Sequence, residues 1–344
     1  MSNSAEKSWL WPTVLGVLVL VLLFPGCRDD SDTPNGQVVL YCSVDQQIAE
    51  PIIAAFEEQT GIDVLPRFDT EASKTVGLVQ RIRAEHNSPT ADVFWSSEIF
   101  HTIRLADESM LAQYSSDTTE TWPQLFADQD GRWYGFALRA RVIAYNTNSV
   151  SQEQPPDCLE DVLDTKWKGR VVMAAPEFGT TGGDIASWFV HYGPERASEI
   201  LQGLADNDIR LVSGNSTAVR MVATGQADVC FTDTDDVYAG QRNGWPVAMN
   251  FLDQGGDGVL AIPNTVGIIA GAPHPEQAKQ LVEFLLSEQL EGMLAESDSH
   301  NSPIHPAVAG RFEQYAIKRP LDVDYEQVAQ QLPEAIQIAR EVLR

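Results

Sequence analysis

Between Gln37 and Trp95 the chain alternates short β-rich runs with helical ones, and this order limits the fold more than any other feature. Gln37–Cys42 (QVVLYC) reads as a strand, followed by a loop at Ser43–Gln47. Ile48, Ile52, Ile53, Ala55 and Phe56 then recur at helical spacing, and Gly61 is the stop. Ile62–Phe68 predicts a second strand, Thr75–Glu85 a surface helix and Ala91–Trp95 (ADVFW) a third strand. Strand, helix, strand, helix, strand is the signature of a mostly parallel sheet. Ligands of such sheets bind outside the carboxyl ends of the strands. The ends at Asp45 and at Ser96–Glu98 are therefore the first places to search.

Further on, Arg139–Asn146 (RARVIAYN) predicts a strand crossing between two lobes, with Arg139 and Arg141 on one side of it. Pro155-Pro156 opens a loop, Cys158–Leu163 a short helix and Val171–Ala175 a strand. Gly179–Gly183 (GTTGG) precedes a helix at Ile185–Tyr192. Such a loop presents amides to an anion, or serves as a tight turn and cap. The Walker lysine is missing, which argues against a nucleotide site. Ser213–Thr217 is small and polar and suits a loop capping the next helix. Ala227–Phe231 has strand length, and Asp233, Thr234, Asp235, Asp236 and Tyr238 come directly after it. Three carboxylates at one strand end form a candidate cation site, with a solvated acidic turn as the alternative. Pro246–Phe251 and Ala261–Ala270 read as strands leading back towards the first lobe. Amphipathic helices follow at Pro275–Leu286 and at Gln327–Leu343, the latter packed on the outside.

A chain of 344 residues exceeds one ordinary domain, and 43% hydrophobic residues supply a sizeable core. The net charge of -26 argues against nucleic acid or anionic membrane as electrostatic partners. It suits an extracytoplasmic protein, or one that handles cations. Lys7 precedes an apolar run at Val14–Phe24, then Pro25, Gly26 and Cys27. That is a secretory signal, too short for an ordinary membrane span. Cys27 after Gly26 resembles a bacterial lipoprotein box, with Phe24 and Pro25 departing from the usual residues. Residues 1–27 are thus expected to be a lipoprotein-type signal peptide and 28–36 a flexible tether. Cys42, Cys158 and Cys230 lack CxxC spacing, so they read as buried small hydrophobes or as one disulfide plus a free thiol. HExxH and GxSxG are absent, and the six histidines are scattered, His101 lying nearest a candidate site.

The order YCSVDQ, AFEEQTGIDV and ADVFWSSE resembles the N-terminal lobe of bacterial extracellular solute-binding proteins of ABC importers, most closely the ferric-iron-binding branch. The likeness continues through RARVIAYN, KWKGR (166–170), Gly214–Asp236 and Gly267–Glu288, and so covers most of the chain. It implies an α/β, two-lobed, type II periplasmic-binding-protein fold. Each lobe is then a mostly parallel sheet flanked by helices, with the ligand cleft between them. Residues 37–139 would begin the N-terminal lobe, 140–255 form the C-terminal lobe, and 256–344 return to the first lobe and add the C-terminal helices. The implied protein is a monomeric receptor, periplasmic or at the cell surface, tied to the membrane only through lipidated Cys27. Its partners would be an inner-membrane permease and ATPase. Its cargo would be ferric iron or another metal ion, bound with a synergistic anion.

Carried over residue by residue, the branch's tyrosine pair falls on Asp235 and Asp236, and its first-lobe histidine on Asp45. Its glutamate falls on Ser97, with Glu98 beside it, and Tyr238 lies just past the pair. The expected metal ligands are therefore Asp45, Glu98, Asp235, Asp236 and Tyr238, with Ser97 in the ligand set and Arg139 and Thr180 near the anion. Two carboxylates in place of two phenolates also suit a more weakly held metal. They suit equally a small organic cation or phosphonate-like zwitterion, with Trp95 stacked on its ammonium group. A metal-dependent hydrolase using the same acids is the reading from another class.

Overall fold

The computed structural model describes residues 36–69, 75–151 and 153–344. The expected signal peptide, the expected lipidation at Cys27 and the expected tether as far as residue 35 fall on residues outside the described ones. The first run comprises β1 (Gln37–Cys42), α1 (Gln46–Thr60), β2 (Asp63–Phe68), α2 (Val76–Ala84), β3 (Val93–Ser96), α3 (Phe100–Asp107), β4 (Leu111–Ala112) and α4 (Asp117–Glu120). A long strand, β5 (Tyr134–Asn146), leads to a second run. This comprises α5 (Leu159–Val162), β6 (Val171–Ala174), α6 (Thr181–Tyr192), α7 (Pro194–Asp206), β7 (Arg210–Val212), α8 (Asn215–Ala223), β8 (Val229–Asp233), α9 (Thr234–Arg242) and β9 (Val247–Asn250). The chain returns through β10 (Ala261–Ile269) and ends in α10 (Pro275–Leu285), α11 (Glu288–Glu296), α12 (Pro306–Ala309) and α13 (Tyr325–Val342).

The strands line up as β2-β1-β3-β10-β5-β8-β6-β7, with β4 beside β10 and β9 beside β5. Two parallel trios, β2-β1-β3 and β7-β6-β8, are joined by antiparallel β10 and β5. Each half therefore has its second strand outermost, then its first, then its third, then a long crossing strand. This is the two-lobed α/β architecture expected. β5 serves both halves: Tyr134–Ala140 pairs with β10, and Arg141–Asn146 pairs with β8 and β9.

Side-chain alternation divides the first half between two cores. Leu40 and Trp95 face one with Phe56 and Phe136, while Tyr41 and Phe94 face the other, which continues through Phe100 and α13 into the second half. Trp95 is fully buried with its ring 6.1 Å from Phe136, so it stacks in the core and not on a ligand.

Several expectations change. β8 runs two residues past Phe231, so Asp233 is the end of the strand and not part of a turn. Helix α6 starts at Thr181, which draws Gly182 and Gly183 out of the expected loop. A Cβ on Gly183 would lie 2.1 Å from the Phe100 ring, so close packing, not loop conformation, requires glycine there. β9 pairs with β5 inside the second half and does not lead back to the first. α13 is no outer decoration. Its Ile336 meets Gly182 of α6 and its Tyr325 ring lies 6.2 Å from Phe100 of α3, so it joins both halves. Cys42, Cys158 and Cys230 are free thiols.

The crossing strands are irregular where they pass between halves. Ala137 has φ 43°, and β10 shifts register between Pro263 and Asn264. The buried Glu291 carboxylate accepts from the Ala137, Ile304 and His305 amides at 2.9, 3.1 and 2.6 Å, which ties this point to the return segment.

Candidate ligand cleft

The strand ends of both halves open on one cavity of about 600 Å³. The first half contributes Ser43, Asp45, Asp69 and Ser97 to its wall. The second contributes Ser216, Asp235 and Asp236, and the crossing strands place Arg139 and Asn264 between them. Asp45 therefore faces the same space as the Asp235–Asp236 pair.

Beneath the pair lies a buried ionic cluster. Arg139 and Arg141 alternate along β5, and both reach Asp233. Arg139 Nη1 donates to Asp233 at 3.2 Å and to Asp235 at 2.9 Å, and Nη2 donates to the Ser97 carbonyl. Arg141 donates to Asp233 at 2.8 Å, Asp184 at 3.0 Å and the Thr180 hydroxyl at 3.0 Å. Thr180 and Asn215 also donate to Asp233, at 2.8 and 3.1 Å. Burial alone would raise the Asp233 pKa, but Arg141 and Arg139 hold it below the ordinary carboxylate value. Burial likewise opposes the charge on Arg139, and Asp235 and Asp233 overcome it, so its pKa is raised. Burial lifts Asp184, against the pull of Arg141. Asp233 is thus the counter-ion of two arginines. Asp235 and Asp236, in the first turn of α9, line the cavity. Ligand atoms of Asp233, Asp235 and Asp236 all lie within 4.8 Å of one another, close enough to share a cation.

A smaller recess opens beside Arg139, Thr180 and Asn215, at the N-termini of α6 and α8. Arg139 Nε is buried there without a hydrogen-bond partner. Uncapped helix starts and a guanidinium there suit an anion, but Asp233 and Asp236 line the same recess and the Thr180 hydroxyl is already given to Asp233.

A family model for bacterial extracellular solute-binding proteins matches residues 51–317. The chain belongs to that family. It is 30% identical over 292 residues to iron uptake protein A1 of Synechocystis sp., covering 81% of this chain and 79% of that protein. It is 27% identical to a putative 2-aminoethylphosphonate-binding periplasmic protein of Salmonella typhimurium, covering 76% and 75%. The crystal structure of iron-bound HitA from Pseudomonas aeruginosa superposes with TM-score 0.77 at 25% identity, covering 89% of this chain and 99% of that one.

Within this solute-binding protein the residues singled out from sequence separate. Asp45, Ser97, Arg139, Asp235 and Asp236 share the main cavity, and Thr180 lines the recess beside it. Glu98 lies outside both linings. It is 1% exposed, and its carboxylate accepts from the Phe100 and His101 amides at 2.8 and 3.3 Å, covering the start of α3. His101 turns its Nδ1 to Glu98 at 3.2 Å and is likewise outside the lining. Tyr238 points away, its ring packed against His300 and Tyr315. Asp69, Asn264 and Asn301 were missed. Asp69 follows the carboxyl end of β2, so the strand-end rule would have found it. Asn301 stands in a loop with no periodic signal. It is 3% exposed, lines the cavity, and its Nδ2 has no partner.

Proposed function

We propose that this solute-binding protein is the extracytoplasmic receptor of an ABC importer, and that its cargo is ferric iron or another hard metal ion bound beside an anion. The observation that carries this reading is the carboxylate set: Asp235 and Asp236 stand over Asp233 within 4.8 Å, and Asp45 faces the same cavity. Hard cations take oxygen ligands, and carboxylates supply them with charge. In this reading Asp45, Asp235 and Asp236 are ligands, Ser97 lies alongside, and Arg139 and Thr180 meet the anion. Glu98 and Tyr238 are left out. Cargo shifts the two halves further towards the closed form, and a permease with its ATPase recognises that form. The receptor works as a monomer in the periplasm or at the cell surface, held by lipid on Cys27, and binds without turnover.

The cavity also favours a second reading, a small organic cation or phosphonate-like zwitterion. Its volume of about 600 Å³ suits a whole small molecule, and no tyrosine is among the described residues lining it. Calorimetry with ferric citrate, manganese and 2-aminoethylphosphonate separates the two. Tight binding of a metal supports the first, and metal-free binding of the phosphonate replaces it. Affinity that survives Asp235→Ala with Asp236→Ala removes the site. Phosphoester turnover in the same samples tests the hydrolytic reading.

A further inference from the structure

One rim of the cavity is a contact between the halves. α9 carries Asp235 and Asp236 in its first turn, then Tyr238 and Arg242 four residues apart on one face. That face meets the segment after α11. Arg242 Nη1 donates to Asp298 at 2.6 Å. The Tyr238 ring stands edge-on to His300, with centroids 4.9 Å apart and planes at 88°. His300 lies flat on Tyr315 at 4.4 Å and 14°. The receiving segment is braced against the first half. His300 holds φ 45°, a region few non-glycine residues occupy, and its Nδ1 pairs with the Ala295 carbonyl at 3.1 Å. Ser302 and Leu138 of β5 exchange backbone hydrogen bonds at 2.7 and 2.8 Å.

We propose that Tyr238 and Arg242 on α9, with Asp298, His300 and Tyr315 opposite, form a clasp that positions the cargo carboxylates by holding the halves closed. Opening the cleft must part these contacts. The helix makes the coupling rigid: when the clasp parts, Asp235 and Asp236 move away with it. Apparent affinity scales with the fraction of closed protein, so the clasp sets affinity and release rate through that fraction; its rings stand outside the cavity lining, while Arg242 and Asp298 stand in it. The rings carry most of the hold, because edge-on aromatic pairs are favourable in themselves. The Arg242–Asp298 pair is exposed on both sides, at 38% and 54%, and contributes less.

Small-angle scattering of the cargo-free full chain tests this. Tyr238→Ala is expected to raise the open-to-closed ratio about tenfold and enlarge the radius of gyration, with Arg242→Ala doing so less. Tyr238→Phe keeps the ring and should scatter as the wild type does. Exchanging the charges, Arg242→Asp with Asp298→Arg, should restore the wild-type curve lost in Arg242→Asp alone. A merely structural role would lower the unfolding midpoint and leave the scattering of the folded protein unchanged, which overturns the clasp. A wild-type curve already matching an open form overturns it too. If Tyr238→Ala does not fold, Arg242→Ala and the charge exchange decide. The readout needs no cargo, so its failure is distinct from failure of the metal reading in calorimetry.

Discussion

The third strand of each half ends in carboxylates, and the two ends have opposite fates. After β3, Glu98 folds back onto the first amides of α3 and is buried there. After β8, Asp233 sinks between Arg139 and Arg141 and makes no cap bond to α9. Asp235 and Asp236, two and three positions further into the helix, open on the cavity. A carboxylate just ahead of a helix is drawn to its unsatisfied amides. Asp235 and Asp236, already inside the first turn, turn elsewhere: Asp235 accepts from Arg139 and Asp236 from the Thr232 hydroxyl. Two arginines on the neighbouring strand then decide which acid is buried. A carboxylate just past an equivalent strand end thus becomes a structural cap in one half and a cavity wall in the other.

The contrast can be broken by substitution. The largest effect is expected from Asp233→Asn, which leaves two buried guanidiniums short of a counter-ion. Urea denaturation should show a loss of about 3–5 kcal/mol. An unchanged midpoint would mean that the arginines do not depend on Asp233. Asp235→Ala with Asp236→Ala comes next: ferric citrate affinity should fall about 100-fold, roughly 2.7 kcal/mol by calorimetry, with the fold retained. Glu98→Gln sharpens the comparison from the other side. It should cost about 1 kcal/mol of stability through the weakened cap and leave cargo affinity alone. Lost affinity with intact stability would return Glu98 to the ligand set. The smallest effect is expected for Asn301→Ala. Asn301 lines the cleft but its amide Nδ2 is buried without a partner, so affinity should drop by at most about 1 kcal/mol.

Much of this was legible beforehand. Alternation from Gln37 to Trp95 announced a parallel sheet, because strand and helix periods differ and each leaves its own apolar spacing. Arg139 and Arg141 were placed on one side of a strand by its period of two, and both reach Asp233. Glu98 and Tyr238 could not be sorted from their neighbours. Whether an acid faces an amide or a cavity, and whether a ring faces the cleft or the partner half, depends on contacts made far along the chain. Tyr238 meets His300 and Tyr315, more than sixty residues away in sequence. Asn301 belongs to the same case, in a loop whose course is fixed by Ser302 pairing with Leu138.

Local order by itself determined the layered α/β class, the strand ends as the place for a site, and the predominance of acid there. Period and punctuation are short-range properties, written within a few residues. Only the tertiary structure decided which acids are buried, which cap and which face the cavity, and that α13 and the Asp298–Tyr315 segment bind the halves together. Those outcomes turn on burial and on the competition of arginines and bare amides for the same carboxylates, and both arise only when distant segments meet.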